Sequence, residues 1–214
     1  MDKSAMNNGT IDTVVFDLGG VLVDWNPRHL YRKLFNDSLA MERFLDEVCT
    51  NAWNEQQDAG RPWSEATASL IALHPTQAAL IDAYWLRWEE MLSGAIQASV
   101  DILAELKARG VRLYALTNWS HETFPLARKR FAFLQWFEGI VVSGEERLIK
   151  PDPQIFQRTL QRFAIEPSRA LYIDDSRRNV DAAIAQGMHG WWFRDADGLR
   201  TQLASHGLVA AQQG

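Results

Sequence analysis

The chain has 214 residues, 47% of them hydrophobic and 23% charged, which is too apolar for disorder and long enough for one large domain or a core with an insert. A net charge of −5 and a pI near 5.5 argue against nucleic acid as a partner, which would require a basic face. No apolar run approaches the ~18–20 residues of a membrane span, so no membrane role is expected either. The single cysteine, Cys49, excludes an internal disulfide framework and a thiolate zinc cage, and it suits a reducing cytoplasm, where the protein is expected to reside.

Met1 to Thr10 is polar, lacks the apolar segment of a signal peptide, and reads as a disordered lead-in. Ile11 to Phe16 then reads as a buried strand closing at Asp17. From Asn26 to Gly94 no good strand is visible and the pattern is helical throughout. Ser64 can cap a helix running to Leu73 that ends at His74-Pro75, and Thr76 to Leu92 places Leu80, Ile81, Tyr84, Trp85, Trp88 and Met91 at helical spacing. A helix over Ser99 to Arg109 stops at Gly110, and a strand over Val111 to Leu116 ends at Thr117 and Asn118. His121 falls in the first turn of the next helix, with Arg128-Lys129-Arg130 in its last turn, where cations complement the dipole. Ile140 to Val142 is a strand ending at Ser143-Gly144, Pro153 to Phe163 a helix, and Ala170 to Ile173 a strand ending at Asp174-Asp175. Helices over Asn179 to Gln186 and Asp195 to Ser205 complete the chain, with a frayed end from Ala210 to Gly214.

Strands alternating with helices predict an α/β fold: a Rossmann-like parallel sheet flanked by helices, with an inserted all-helical cap. The core comprises residues 1–25 and 95–214, and the cap residues 26–94. Such an insert after the first strand sits over the carboxyl edge of the sheet, where open α/β folds bind ligands.

All carboxyl ends of a parallel sheet lie on one edge, so Asp17, Thr117, Lys150 and Asp174-Asp175 can converge. A nucleophilic carboxylate, a hydroxyl, a lysine and a carboxylate pair form a coherent set for phosphoryl transfer. The carboxylates hold a hard cation such as Mg²⁺ through oxygen, and lysine and cation neutralise the phosphoryl oxygens as the transition state develops. The nucleophile attacks phosphorus and forms a covalent intermediate.

The segments Phe16-Asp17-Leu18-Gly19-Gly20-Val21-Leu22-Val23-Asp24, Leu116-Thr117-Asn118, Ser143-Gly144 with Lys150-Pro151-Asp152-Pro153, and Tyr172-Ile173-Asp174-Asp175-Ser176 with Asn179 occur in that order. Together they resemble the four motifs of the haloacid dehalogenase (HAD) superfamily, and the helical insert stands where its phosphatase-like branch carries a C1 cap. The resemblance implies Asp17 as nucleophile and magnesium ligand, with the Gly19 carbonyl and Asp175 as further ligands. It implies that Thr117 and the amide of Asn118 hold phosphoryl oxygens, that Lys150 stabilises Asp17 and the transferred group, and that Asp174 and Asn179 order the surroundings. The implied substrate is a small phosphorylated metabolite, with sugar-1-phosphate-like esters as one class.

One position departs from the pattern. Many phosphatases of this family carry a general acid–base aspartate two residues after the nucleophile, where this chain has Gly19. Leaving-group protonation is then missing unless a cap residue or water supplies it, which favours esters with acidic leaving groups. The alternatives are a 2-haloacid dehalogenase, which lacks that aspartate and needs no metal, and a catalytically weak module binding a phospho-ligand or a partner.

Of the nine tryptophans, Trp53, Trp85 and Trp88 are expected inside the cap and Trp136, Trp191 and Trp192 in the core or at its rim. Trp25 and Trp119 adjoin catalytic segments and are candidates to line a substrate pocket. Ser120-His121 lacks a nucleophile elbow, the five histidines lack zinc-ligand spacing, no Gly-x-x-x-x-Gly-Lys-Ser/Thr loop occurs, and Cys49 reads as a packed residue.

Overall fold

The computed structural model describes residues 10–210; the expected lead-in before Thr10 and the tail beyond Ala210 lie outside the described residues. The chain enters through β1 (Thr13–Phe16), all four of whose residues are buried, and turns back through β2 (Val23–Trp25). Helices α1 (Arg28–Tyr31), α2 (Ser38–Glu47), α3 (Asn51–Asp58), α4 (Trp63–Leu73) and α5 (Ala78–Leu86) follow before β3 (Leu92–Ala95). The remainder alternates: α6 (Gln97–Ala108), β4 (Arg112–Thr117), α7 (Phe124–Arg130), β5 (Gly139–Val142), α8 (Ser143–Glu146), α9 (Pro153–Arg162), β6 (Ala170–Asp174), α10 (Arg177–Ala185), β7 (His189–Trp192) and α11 (Ala196–Ser205).

The sheet is parallel, in the order β5-β4-β1-β6-β7. Side chains alternate between its faces: Val14, Phe16, Ala115 and Ile173 join one apolar cluster, while Val15, Leu116 and Tyr172 join another on the opposite side. A sheet covered on both faces explains the continuous apolar runs of its strands. Phe16 pairs with Ala115 on one side and Ile173 on the other, so Asp17 emerges between the ends of β4 and β6. The α/β architecture and four expected strands are therefore present, together with β7 as a fifth.

The region from 26 to 94 holds helices, but β3 begins inside it at Leu92 and pairs antiparallel with β2. That pairing corrects the expectation of no strand and of one helix from Thr76 to Leu92. α5 stops at Leu86, a 3₁₀ turn covers Trp88–Met91, and the chain straightens to reach β2, with the Asn26 amide donating to the Met91 carbonyl. Ser64 is also not the cap of its helix. α4 starts at Trp63, whose amide donates at 2.7 Å to Glu122 Oε2, so the orphan N–H of the helix end is satisfied from the other side of the cleft. His121 precedes α7 by three residues, lying in a turn. Ala210, expected to fray, donates its amide to Glu105 Oε1 at 2.8 Å, behind buried Leu208 and Val209.

Inside the helical insert, Trp63 stacks on Tyr84 with ring centroids 5.5 Å apart, and Trp53 meets both edge-on. Trp85 is only partly buried, and Trp88 belongs to the boundary with the core, its ring 5.5 Å from Trp119. Trp63 is 1% exposed, so Trp63→Ala is expected to cost about 3–5 kcal/mol in urea-unfolding free energy, as full truncation of a buried large aromatic does.

Candidate active site

Asp17 leaves the end of β1 with its Oδ1 accepting from the Leu18 amide at 2.7 Å. Opposite it stands Lys150, 1% exposed, with Nζ 2.9 Å from Asp17 Oδ1 and 2.7 Å from Asp174 Oδ2. The lysine's own backbone is fixed by a two-way clasp. Asn118 Oδ1 accepts from the Lys150 amide at 2.8 Å, and Asn118 Nδ2 donates to the Lys150 carbonyl at 3.1 Å. The side-chain amide of Asn118 is thus committed to placing Lys150.

Asp174 is fully buried and saturated with donors. Tyr172 Oη donates to its Oδ2 at 2.6 Å, the Ser176 amide to Oδ1 at 2.8 Å, and Asn179 Nδ2 lies 3.1 Å from both oxygens. Asp175 is placed by two contacts absent from the sequence reading. Trp192 Nε1 donates to its carbonyl at 2.9 Å, and Gly20 passes beneath its carboxylate at φ +70. A Cβ on Gly20 would stand 2.2 Å from Asp175 Oδ2, so any side chain there would be strained by the positive φ and would displace the Asp175 carboxylate.

Three carboxylates and one ammonium leave the cluster short of positive charge. Burial, with repulsion from Asp174 and Asp175, outweighs the pull of Lys150 and leaves Asp17 raised to about 7. Burial, then repulsion from Asp174, also raises Asp175. Burial alone would lower Lys150, but Asp17 and Asp174 outweigh it and hold it above its ordinary value, so it is cationic.

Ligand oxygens of Asp17, Asp174 and Asp175 lie within 4.8 Å of one another. The donor set is all oxygen and the cluster has excess negative charge, so these residues fit a hard divalent cation such as Mg²⁺. With both Asp174 oxygens occupied by donors, Asp17 and Asp175 are the carboxylates best placed to hold it. Thr117 Oγ1, at the end of β4, is buried without a hydrogen-bond partner, a donor in need of an acceptor such as a phosphoryl oxygen.

Beside this cluster lies a cavity of about 60 Å³, lined by Gly19, Trp25, Asn118 and Trp119 together with Asn54, Asp58 and Trp88 from the helical insert. Core and insert both contribute to its wall, so the insert covers one side of the site. Both tryptophans singled out from the sequence line it. Asn54, Asp58 and Trp88 were not legible as site residues, because nothing in their local pattern separates them from any other α-helical or turn position.

A parallel sheet with a buried carboxylate–lysine cluster at its carboxyl edge and a helical insert over it defines a capped α/β hydrolase. The chain belongs to the haloacid dehalogenase-like hydrolases, which it matches over residues 11–187. Among curated relatives, mouse acyl-CoA dehydrogenase family member 10 is 31% identical over 199 residues, covering 82% of this chain but only 17% of that protein. The sesquiterpene phosphatase astK of Aspergillus oryzae is 25% identical over 190 residues, covering 87% of this chain and 92% of the relative. Among solved structures, a HAD-like hydrolase from Porphyromonas gingivalis superposes with a TM-score of 0.70 at 21% identity, covering 95% of this chain and all of the other. A HAD family enzyme from Bacteroides thetaiotaomicron, solved with magnesium and inorganic phosphate, gives 0.64 at 24% identity, covering 86% and 95%. The fold and recognition read from the sequence agree with these findings.

Lys150 compensates two buried carboxylates, so Lys150→Met is expected to destabilise the protein by about 3–5 kcal/mol near neutral pH, as loss of one partner of a buried pair does. Without the ammonium that pulls it down, Asp17, already raised in the folded state, rises further. A raised acid binds its proton more tightly folded than unfolded, so its stabilising effect is lost as pH rises. Denaturant titrations are therefore expected to find a larger deficit at pH 8 than at pH 5.

Proposed function

We propose that this hydrolase cleaves small phosphomonoesters through a phospho-aspartate on Asp17, with magnesium as cofactor, in the cytoplasm. The observation that carries the reading is Lys150 Nζ bridging Asp17 and Asp174, with Asp175 alongside. The phosphatase names among the relatives support it, as do the two further carboxylates beside Asp17, because metal-free halide displacement calls for the nucleophile but for no cation site.

Bound between Asp17 and Asp175 and the Gly19 carbonyl, magnesium would supply Lewis-acid neutralisation of the phosphoryl oxygens. Asp17 presents its carboxylate to phosphorus, held in line by the Leu18 amide and Lys150. Lys150 favours the ionised form of Asp17 and stabilises charge on the transferred group. Thr117 Oγ1 and the Asn118 backbone amide take phosphoryl oxygens, while Trp25, Trp88 and Trp119 wall the leaving group and exclude water. Asp174 and Asn179 act through Lys150, by holding it in place. Sugar-1-phosphate-like esters, whose anomeric leaving groups are comparatively acidic, are one class of this chemistry.

Purified protein is expected to release phosphate from 4-nitrophenyl phosphate with magnesium and to stop when the metal is chelated. Asp17→Asn is expected to lower turnover by at least ~10³-fold while the circular dichroism spectrum stays unchanged. Asp175→Asn is expected to shift half-activation to higher magnesium. Halide release from a 2-haloacid without metal would overturn the reading.

A further inference from the structure

Resting on the phosphomonoesterase reading, we infer that Asp58 of the helical insert protonates the departing oxygen and later deprotonates the attacking water, the role for which Gly19 has no side chain. Asp58 and Gly19 line the same cavity, with Trp25, Trp88 and Trp119 as the remaining large walls. A leaving group held between them has one carboxyl within that enclosure other than those of the Lys150 cluster.

Asp58 is fixed to the core rather than carried loosely by the insert. Its carbonyl accepts from Ser143 Oγ at 2.5 Å, and the same Ser143 Oγ accepts from the Trp119 amide at 2.9 Å. Two residues on, Gly60 runs at φ +97 so close to Gly144 that a Cβ would stand 2.9 Å from the Gly144 carbonyl oxygen. On its side chain, Asn54 Nδ2 donates to Oδ2 at 3.0 Å and the Ser120 backbone amide donates to the carboxyl. Ser120 belongs to the loop that follows Thr117, so the acid is registered against the segment that grips the phosphoryl group. Ser143-Gly144, noted in the sequence beside Lys150, thus serve as the dock for the insert.

The protonation state suits the role. Burial, with repulsion from Glu55 and Asp17, outweighs the lowering effects of the Ser120 amide and Lys150 and leaves Asp58 raised to about 7. Its place as the last residue of α3, at the negative end of the helix dipole, acts in the same direction. The group can therefore exist as acid and as base near neutrality, as efficient proton transfer requires.

The steps balance. Asp17 attacks phosphorus, the bond to the leaving oxygen breaks, and that oxygen takes the Asp58 proton, giving free alcohol, phospho-Asp17 and an Asp58 carboxylate. Water then attacks phosphorus and gives its proton to Asp58, and the bond to Asp17 breaks, releasing phosphate and restoring both side chains.

Asp58→Asn, which keeps the side chain's size, should be compared with wild type on aryl and alkyl phosphates with magnesium. The variant is expected to lose ~10²–10⁴-fold in kcat on alkyl phosphates and under ~10-fold on 4-nitrophenyl phosphate, because only a basic leaving group needs the proton. Wild-type turnover of alkyl esters is expected to fall as pH rises past Asp58's titration, and this limb should vanish in the variant. A Cβ at Gly19 meets nothing within 4 Å, so Gly19→Asp in the Asp58→Asn background is expected to restore part of the alkyl activity. Equal losses on both ester types, or a raised KM with kcat intact, would overturn the assignment and leave the phosphatase reading standing. No phosphate release by wild type from any ester would overturn both.

Discussion

Lys150 carries its charge where water does not reach, and the arrangement of the site follows from compensating it. The ammonium lies between two carboxylates on neighbouring strand ends, Asp17 after β1 and Asp174 closing β6. Those strands are adjacent in the sheet, and the register that pairs Phe16 with Ile173 sets the two carboxylates at matching heights. Asn118, leaving the strand on the other side of β1, clamps the lysine's backbone. Three strand ends thus meet on one lysine, two at its ammonium and one at its backbone, and the remaining anion, Asp175, leaves a surplus of negative charge for a cation to neutralise.

The helical insert completes the enclosure by a different kind of force. It is joined to the core through the β2–β3 pair, seated by the Ser143 and Glu122 hydrogen bonds, and closed by the Trp88–Trp119 contact. Insert and core also share one buried apolar cluster, which runs from Trp63 and Tyr84 to Phe16 and Trp119. Cys49 lies within the insert, buried, with its thiol pushed up to about 12 by that burial. It packs as a small apolar residue, its thiolate disfavoured.

Much of this was legible from the chain. Strands buried on both faces advertise themselves as apolar runs, and Asp17, Thr117 and Asp174 each follow or end one directly. Lys150 was legible from its neighbours Pro151, Asp152 and Pro153, although its burial was not. β7 escaped notice because His189 and Gly190 interrupt it and its tryptophans are only partly covered. β3 escaped because Ser93 and Gly94 have weak strand propensity and the strand exists only by pairing with β2. Asp58 escaped for a deeper reason. Its setting is made by Ser143, Ser120 and Gly19, core residues distant in sequence that Asp58 meets only where the insert packs on the core.

The central claim is that the phosphoryl group passes through Asp17. Acid quenching during turnover of a phosphomonoester with magnesium, followed by peptide mass spectrometry, tests it directly. The account predicts one added phosphoryl group on the peptide bearing Asp17, at that residue, appearing and decaying with turnover. Steady release of phosphate with that peptide unmodified, or with the phosphoryl group on another residue, would contradict it.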